Sequence, residues 1–159
     1  EAPFDLAQAP GVAEENPVED EDAAPTGALD ILIVDDNPVN LMVLEQVLQA
    51  FGHRIEKAAD GQAALDLLAS RPFDVTILDI QMPGMTGVEV LERLRAVAGP
   101  NQHGPVVALT ADVVSGGRPH YLALGFDEHS SKPIQIPDLM AAVGRAVTAA
   151  ERSASRRVA

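Results

Sequence analysis

Apolar and polar positions follow a regular order along the chain from Leu29 to Thr148. Short runs rich in Val, Ile and Leu predict buried strands, and apolar residues three or four apart predict amphipathic helices. The predicted strands are Leu29–Val34, Arg54–Ala58, Asp74–Leu78, Pro105–Leu109 and Phe126–Ser130. Because a helical pattern follows each strand, we expect an α/β domain in which a parallel sheet carries helices on both faces.

The first helix is expected to begin at Asn37, a good N-cap residue, with Pro38 in its first turn and Gly52 after its end. Its predicted core-facing residues are Val39, Met42, Val43, Val47 and Leu48. Further helices are predicted at Asp60–Ser70, Gly87–Val97 and Ile136–Thr148. The sequence Gly-Gly-Arg-Pro at 116–119 disfavours a helix interior, so we expect a loop there and then a short helix from about Pro119.

Charge is distributed unevenly along the 159 residues, which carry a formal net charge of −13. Residues 1–28 are rich in Ala, Pro, Glu and Asp and contain no basic residue, a composition typical of a disordered linker. We therefore expect a linker at 1–28, a domain at 29–148 and a C-terminal tail at 149–159. The acidic balance argues against a nucleic-acid partner, and no apolar run is long enough for membrane contact by a spanning segment. The absence of Cys excludes disulfides, thiol catalysis and Cys-based zinc sites.

Polar side chains stand at the ends of the predicted strands. They are Asp35 and Asp36 after the first strand, Asp79 after the third, Thr110 after the fourth and Lys132 after the fifth. Right-handed crossovers would bring all of these to one edge of the sheet. Three neighbouring carboxylates need cations, and a hard divalent ion such as Mg²⁺ suits them alongside the lysine. Such a set suits phosphoryl transfer, in which a carboxylate attacks phosphorus while cations and a hydroxyl stabilise the charge.

Each of these residues, taken alone, also has a structural explanation. Asp79 and Asp36 are common turn and cap residues, Thr110 could close a turn, and Lys132 could be a solvated loop residue. Their joint occurrence at strand ends favours one shared site. Three of the four histidines have no ligand partner at metal-binding spacing and are expected to be structural or without a role: His53, His103 and His120.

Taken as a set, the strand-end motifs resemble the receiver domain of two-component response regulators. They are Asp35-Asp36, Asp79 within LDIQMPGMTG, Leu-Thr-Ala at 109–111, and Lys132-Pro133. VDDNPVN and LDIQMPGMTG further resemble receivers attached to hybrid histidine kinases. The resemblance covers about Leu29–Val147 and implies a flavodoxin-like, doubly wound (βα)5 fold with a five-stranded parallel sheet.

The resemblance also implies roles for individual residues. Asp79 would accept a phosphoryl group from a partner's phosphohistidine. Mg²⁺ would be bound directly by Asp36, Asp79 and the backbone carbonyl of Gln81, and through water by Asp35.

Other residues would act on the phosphoryl group itself. Thr110, the Ala111 amide and Lys132 would bind its oxygens, and the Lys132–Pro133 bond would be cis. Gln81 and Asp112 would modulate hydrolysis of the phosphate.

Two features depart from the family pattern. The switch position, three residues before the lysine, usually holds Tyr or Phe, and here it holds His129. Either His129 works with Thr110 as the switch pair, or it is an exposed residue of an edge strand. The second departure is the low helix propensity of residues 112–120, which suggests a mobile segment that phosphorylation or a partner could order.

The function implied is that of a phosphoacceptor module in a cytoplasmic phosphorelay. We expect no separate turnover enzyme in this chain, although it would supply chemistry for its own phosphorylation and dephosphorylation. Expected partners are the dimerisation and phosphotransfer domain of a histidine kinase, a histidine phosphotransfer protein, or kinase domains of the same protein. The acidic segment in front favours the C-terminal receiver of a hybrid kinase.

Three alternatives remain open at this point. One is a free-standing receiver, and another is a receiver that acts mainly as an intramolecular regulatory binding module. The third is a phosphatase or phosphotransferase of the haloacid-dehalogenase type. That family places a second Asp two residues after its nucleophile, and Asn37 stands there relative to Asp35, which argues against it.

Overall fold

The computed structural model describes residues 27–111 and 117–158, with side chains described as far as residue 152. Within these ranges five parallel strands alternate with five helices. The strands are β1 Asp30–Val34, β2 Arg54–Ala58, β3 Val75–Asp79, β4 Val106–Thr110 and β5 Glu128–Ser131. The helices are α1 Pro38–Ala50, α2 Gly61–Ser70, α3 Gly87–Ala96, α4 Gly117–Leu124 and α5 Ile136–Val158. The predicted α/β fold with a five-stranded parallel sheet is confirmed.

The sheet has the order β2-β1-β3-β4-β5, and all of its strand pairs are parallel. The central strands β3 and β4 are buried along their whole length, as their β-branched and aliphatic sequences predict. β2 is half polar and lies at one edge, while β5 forms the other edge. The strand order reverses beside β1, so the ends of β1 and β3 flank the crevice in which doubly wound sheets bind ligands.

Two hydrophobic layers cover the two faces of the sheet. On one face, Ile31 and Ile33 of β1 pack against leucines of α1 and against Leu139 and Val143 of α5. On the other face, Leu32 of β1 packs in a layer with residues of α2, α3 and α4. Successive residues of β1 therefore point to opposite layers, which is the two-residue period of a strand buried on both sides.

Helix α1 begins as predicted but presents a different face to the core. Asn37 is its N-cap, with Oδ1 accepting from the Val39 amide at 2.9 Å, and Pro38 is its first residue. The buried residues are Leu41, Leu44 and Leu48. The prediction that Val39, Met42 and Val43 face inward was wrong, because these side chains are 59%, 49% and 40% exposed. The helix is apolar on more than one face, so its periodicity alone did not select the buried one.

The helical ends of α4 and α5 also differ from the predictions. Helix α4 already begins at Gly117, so Gly117 and Arg118 are helical although a loop was expected there. The preceding residues 112–116 lie outside the described residues. Helix α5 continues to Val158, past its predicted end at Thr148, because the following Ala, Glu and Arg residues favour helix and no Gly or Pro interrupts them. No described helix combines the length and the apolar character needed to cross a membrane.

Candidate functional site

Three carboxylates meet at the carboxyl ends of β1 and β3. Asp35 and Asp79 are 0% and 2% exposed, whereas Asp36 is exposed. One carboxylate oxygen from each of the three lies within 4.8 Å of the others. The predicted convergence of these three carboxylates is therefore confirmed, and they are hard oxygen donors of the kind that bind Mg²⁺.

Lys132 brings a positive charge to this cluster from the loop after β5. Its Nζ lies 3.3 Å from Asp35 Oδ2 and 3.2 Å from Asp79 Oδ1. The backbone amide of Lys132 donates to the Thr110 carbonyl at 2.8 Å, which ties this loop to the end of β4. The Lys132–Pro133 peptide bond is cis, as the resemblance implied.

Asp35 is oriented by residues at the start of α1. Its Oδ1 accepts from the Asn37 amide at 2.9 Å, and its Oδ2 accepts from Asn40 Nδ2 at 3.2 Å. Sequence reasoning missed Asn40, although its position one helical turn after the aspartates is a usable signal. With both oxygens hydrogen-bonded, the Asp35 carboxylate has little freedom to rotate.

Asp79 sits in an environment that opposes its negative charge. Burial raises the pKa of the Asp79 carboxyl above its ordinary value, and the Asp35 carboxylate acts in the same direction. The Gln81 amide, which donates to Asp79 Oδ1 at 3.0 Å, and the Lys132 ammonium act in the opposite direction. A buried carboxylate with a raised pKa at a sheet edge is a typical feature of a functional group.

The Thr110 side chain is buried at the end of β4 and contacts an aromatic residue that the sequence analysis missed. Thr110 Oγ1 lies 3.0 Å from the hydroxyl of Tyr121, which belongs to α4. The Tyr121 ring stacks on the imidazole of His129, with centroids 5.5 Å apart and ring planes at 24°. His129 is thus half buried against α4, which excludes the expectation of an exposed edge-strand residue.

Two further predicted residues are exposed at the ends of β3 and β4. Gln81 follows Asp79 by two residues, and Ala111 follows Thr110 directly. Asp112 lies outside the described residues. His53 is buried, and its Nδ1 accepts from the Leu29 amide at 3.1 Å, which is a structural role.

Gly87, where the third helix was predicted to begin, lies against the backbone that carries Asp79. It is the first residue of α3, and its amide donates to the Ile80 carbonyl at 2.9 Å. A Cβ added at Gly87 would lie 2.5 Å from the Asp79 carbonyl oxygen and 2.8 Å from the Ile80 Cα. Only glycine allows α3 to begin this close to the backbone that carries Asp79.

A family model described as "Response regulator receiver domain" matches residues 31–144 of this sequence. The chain belongs to this family. The matched region contains the sheet, apart from the first residue of β1, and all of the strand-end residues described above. The receiver fold inferred from the motifs is therefore confirmed, and the chain is a receiver domain of the kind found in two-component systems.

The receiver is also similar to the receivers of hybrid histidine kinases. It is 38% identical over 136 residues to the aerobic respiration control sensor protein ArcB of Escherichia coli K12, covering 85% of this chain and 17% of ArcB. It is 36% identical over 119 residues to the sensor histidine kinase GacS of Pseudomonas protegens, covering 73% of this chain and 13% of GacS. The receiver thus spans less than a fifth of the length of either relative.

A solved structure with the same fold is the receiver domain of the sensor histidine kinase PA1611 from Pseudomonas aeruginosa PAO1. The two chains are 30% identical with a TM-score of 0.68, and the match covers 77% of this receiver and 99% of that chain. The PA1611 receiver was crystallised with a magnesium ion coordinated in its active site cleft.

Proposed function

We propose that this receiver accepts a phosphoryl group on Asp79 from a phosphohistidine, with Mg²⁺ as cofactor. The observation that carries the proposal is the surroundings of Asp79, a buried carboxylate with a lysine ammonium 3.2 Å away and two further carboxylates beside it. Structural ion pairs rarely bury two carboxylates against one lysine, because the charges do not balance. A divalent cation supplies the missing positive charge, which leaves the lysine ammonium available to pair with a phosphoryl group.

The reaction moves one phosphoryl group between two side chains. An oxygen of the Asp79 carboxylate attacks phosphorus, the new O–P bond forms, and the N–P bond of the phosphohistidine breaks. The imidazole leaves with the electron pair of that bond and takes up a proton from water. Negative charge gathers on the phosphoryl oxygens during transfer, so nearby cations and hydrogen-bond donors accelerate the step.

The proposed roles of the other residues follow from where they lie. Lys132, between Asp35 and Asp79, would pair with a phosphoryl oxygen, and Thr110 and the Ala111 amide at the end of β4 would donate to the others. Gln81 and Asp112 would influence how fast water reaches the phosphate. These assignments remain predictions from the sequence, and substitution of each residue tests them.

The residues present fit a magnesium ion. Asp36 and Asp79 would bind it directly together with the Gln81 carbonyl, and Asp35 would hold it through water. When bound, the ion would neutralise the carboxylates and the charge that develops on the phosphoryl oxygens. Mg²⁺ keeps several of its waters when it binds to proteins, which suits the exposed position of Asp36.

The proposed donor is a histidine phosphotransfer domain, which docks on the outer face of α1. This face carries the exposed apolar residues Val39, Met42 and Val43, and Asn40 on the same helical turn bonds to Asp35. A partner seated there would bring its histidine beside Asp79. We further propose that the chain is the cytoplasmic receiver of a hybrid kinase, because the similar proteins ArcB and GacS are sensor proteins of much greater length.

The test is the intact mass of the protein after incubation with acetyl phosphate, with and without Mg²⁺. We expect one phosphoryl adduct that requires Mg²⁺ and is lost in Asp79→Asn. The matched control is Asp66→Asn, which replaces an exposed carboxylate on α2 and should keep the adduct. No adduct in the unaltered chain, either from acetyl phosphate or from a phosphorylated histidine domain, would contradict the proposal and favour a regulatory binding module.

A further inference from the structure

Asn40 is a neutral residue that contacts the cluster of carboxylates from the first turn of α1. Its Nδ2 lies 3.2 Å from Oδ2 of Asp35, and its side chain is half buried. An ionised carboxylate only accepts hydrogen bonds, so the amide nitrogen of Asn40 is the atom that faces it. Asn40 thereby connects helix α1 to the buried carboxylate that follows β1.

Oδ2 of Asp35 is shared between two donors of different kinds. Lys132 Nζ lies 3.3 Å from this oxygen and 3.2 Å from Oδ1 of Asp79, so the ammonium is divided between two carboxylates. The other oxygen of Asp35 accepts from the Asn37 amide at 2.9 Å. The plane of the Asp35 carboxylate is therefore set from α1, by a backbone amide on one oxygen and by the Asn40 side chain on the other.

A neutral donor at position 40 preserves the negative charge of the cluster. Three carboxylates meet there, and Lys132 supplies one positive charge to them. A second cationic side chain could also hold Oδ2, but it would repel a divalent cation over a short distance. An amide restricts the rotation of the carboxylate and adds no charge. Asparagine thus suits a position where a carboxylate is held and still binds metal.

We propose that Asn40 is a positioning residue that fixes the Asp35 carboxylate for the binding of Mg²⁺. The inference rests on the proposed function, in which Asp35 holds the ion through water. Side chains that orient a metal-binding group without touching the metal contribute to metal affinity. Asn40 acts in this way through Asp35, and its own amide makes no contact with the ion or the phosphoryl group.

The position of Asn40 on α1 offers a competing explanation, in which the residue serves docking alone. Val39 precedes it, and Met42 and Val43 follow it on the face proposed for a histidine phosphotransfer domain. A residue that acts only in docking affects transfer from that domain. A residue that positions Asp35 affects metal binding even when no phosphodonor is present. Direct measurement of metal binding therefore separates the two explanations.

The experiment is calorimetric titration of the whole 159-residue chain with MgCl₂ in the absence of a phosphodonor. Asn40→Ala removes the amide, and α1 should still form because alanine favours helix. We expect the Kd for Mg²⁺ to rise about fivefold, the factor that corresponds to one ordinary hydrogen bond. The matched control is Gln46→Ala, which truncates an exposed amide side chain on the same helix and should bind Mg²⁺ as the unaltered chain does.

The rate of adduct formation from acetyl phosphate provides a second readout. In Asn40→Ala the Mg²⁺ concentration that gives half of the maximal rate should rise by the same factor as the Kd. Saturating Mg²⁺ should restore the rate of the unaltered chain, because the substitution weakens metal binding and leaves Asp79 and Lys132 in place. A merely structural role predicts lower stability in urea with no change in the Kd for Mg²⁺.

The outcomes separate this inference from the proposed function. An unchanged Kd in Asn40→Ala would overturn the positioning role and leave the phosphoacceptor role intact, whether or not transfer from a histidine domain is slowed. A raised Kd in a chain that forms no adduct would support the positioning of Asp35 and contradict the phosphoacceptor role. Failure of the unaltered chain to bind Mg²⁺ would overturn both.

Discussion

At the scale of single residues, the folded chain disfavours the negative charge of Asp79. Burial and the Asp35 carboxylate raise its pKa, while the Gln81 amide and Lys132 offset only part of that effect. The ionised carboxylate is therefore less stable in the folded chain than in the unfolded one. A residue that lowers stability in this way is retained where its chemistry is needed.

Replacing Asp79 by Asn should stabilise the metal-free protein at neutral pH. A group whose pKa is raised on folding contributes stability below its unfolded value, near 3.8 for this carboxyl, and that contribution is lost as the pH rises through the folded pKa. The gain in unfolding free energy of Asp79→Asn over the unaltered chain should thus be larger at about pH 7 than at about pH 4. Urea unfolding in a chelating buffer measures it.

Asp66→Asn serves as the control for that measurement, because it removes an exposed charge on α2. The difference in unfolding free energy between Asp66→Asn and the unaltered chain should change much less with pH. A constant difference between Asp79→Asn and the unaltered chain across this range would contradict the account of the Asp79 carboxyl.

The strand-end residues could be predicted from the sequence, whereas their helical neighbours could not. Asp35, Asp79 and Lys132 follow from topology alone, because parallel strands bring their carboxyl ends to one edge. Tyr121 and Asn40 are contributed by helices, and which helical residues face a site depends on how each helix rotates and packs. A sequence with several apolar faces does not determine that rotation.

At the scale of elements, the same limitation explains why the buried face of α1 was predicted wrongly. Leu41, Leu44 and Leu48 have the spacing of a buried face, but Val39, Met42 and Val43 offer a second apolar stripe. The second stripe is the one left exposed near the site. An exposed apolar patch beside a polar crevice is typical of an interaction surface.

A charge placed on that exposed stripe should separate docking from chemistry. Met42→Glu should slow phosphoryl transfer from a phosphorylated histidine domain by at least about tenfold, since a desolvated charge in an interface costs more than 1.4 kcal/mol. Phosphorylation by acetyl phosphate should be unchanged, because that donor needs no docking surface. Single-turnover transfer followed by intact mass measures both rates.

Val97→Glu is the matched control for Met42→Glu. Val97 is 66% exposed and follows the C-terminal end of α3, away from the edge that carries Asp79. The Val97→Glu variant should accept the phosphoryl group at the rate of the unaltered chain from either donor. Equal slowing by both substitutions would indicate a general effect of negative charge and would contradict docking on α1.

The junction of β3 and α3 should be sensitive to a single methyl group. Gly87→Ala would place Cβ 2.5 Å from the Asp79 carbonyl oxygen, so the start of α3 has to move away. We expect a loss of about 1–3 kcal/mol in the free energy of unfolding, the usual range for overpacking against a rigid neighbour. Chemical denaturation without metal measures it.

Gly99→Ala provides the comparison for that experiment. No atom lies within 4 Å of a Cβ added at Gly99, so its effect should stay within about 0.5 kcal/mol. Similar stabilities for Gly87→Ala and the unaltered chain would show that α3 can shift without cost, contrary to the tight junction described here.

At the scale of the whole molecule, the order of elements could be predicted because strand and helix periods alternate clearly along the sequence. The residues at which elements begin and end were harder to predict from the sequence than the order of the elements. Helix α5 continues beyond Thr148 because the residues that follow are good helix formers. Gly117 begins α4 with φ +60°, a left-handed conformation that favours glycine, and Arg118 next to it pairs with Glu128.

The measurement that tests the central claim most directly is chemical location of the phosphoryl group. Borohydride reduces an acyl phosphate to an alcohol, so a phosphorylated aspartate becomes homoserine and is identified by peptide mass spectrometry. The account predicts homoserine at position 79 after incubation with Mg²⁺ and a phosphodonor, and none when a chelator replaces Mg²⁺. Homoserine at position 35 or 36, or phosphate on a serine, threonine or histidine instead, would contradict it.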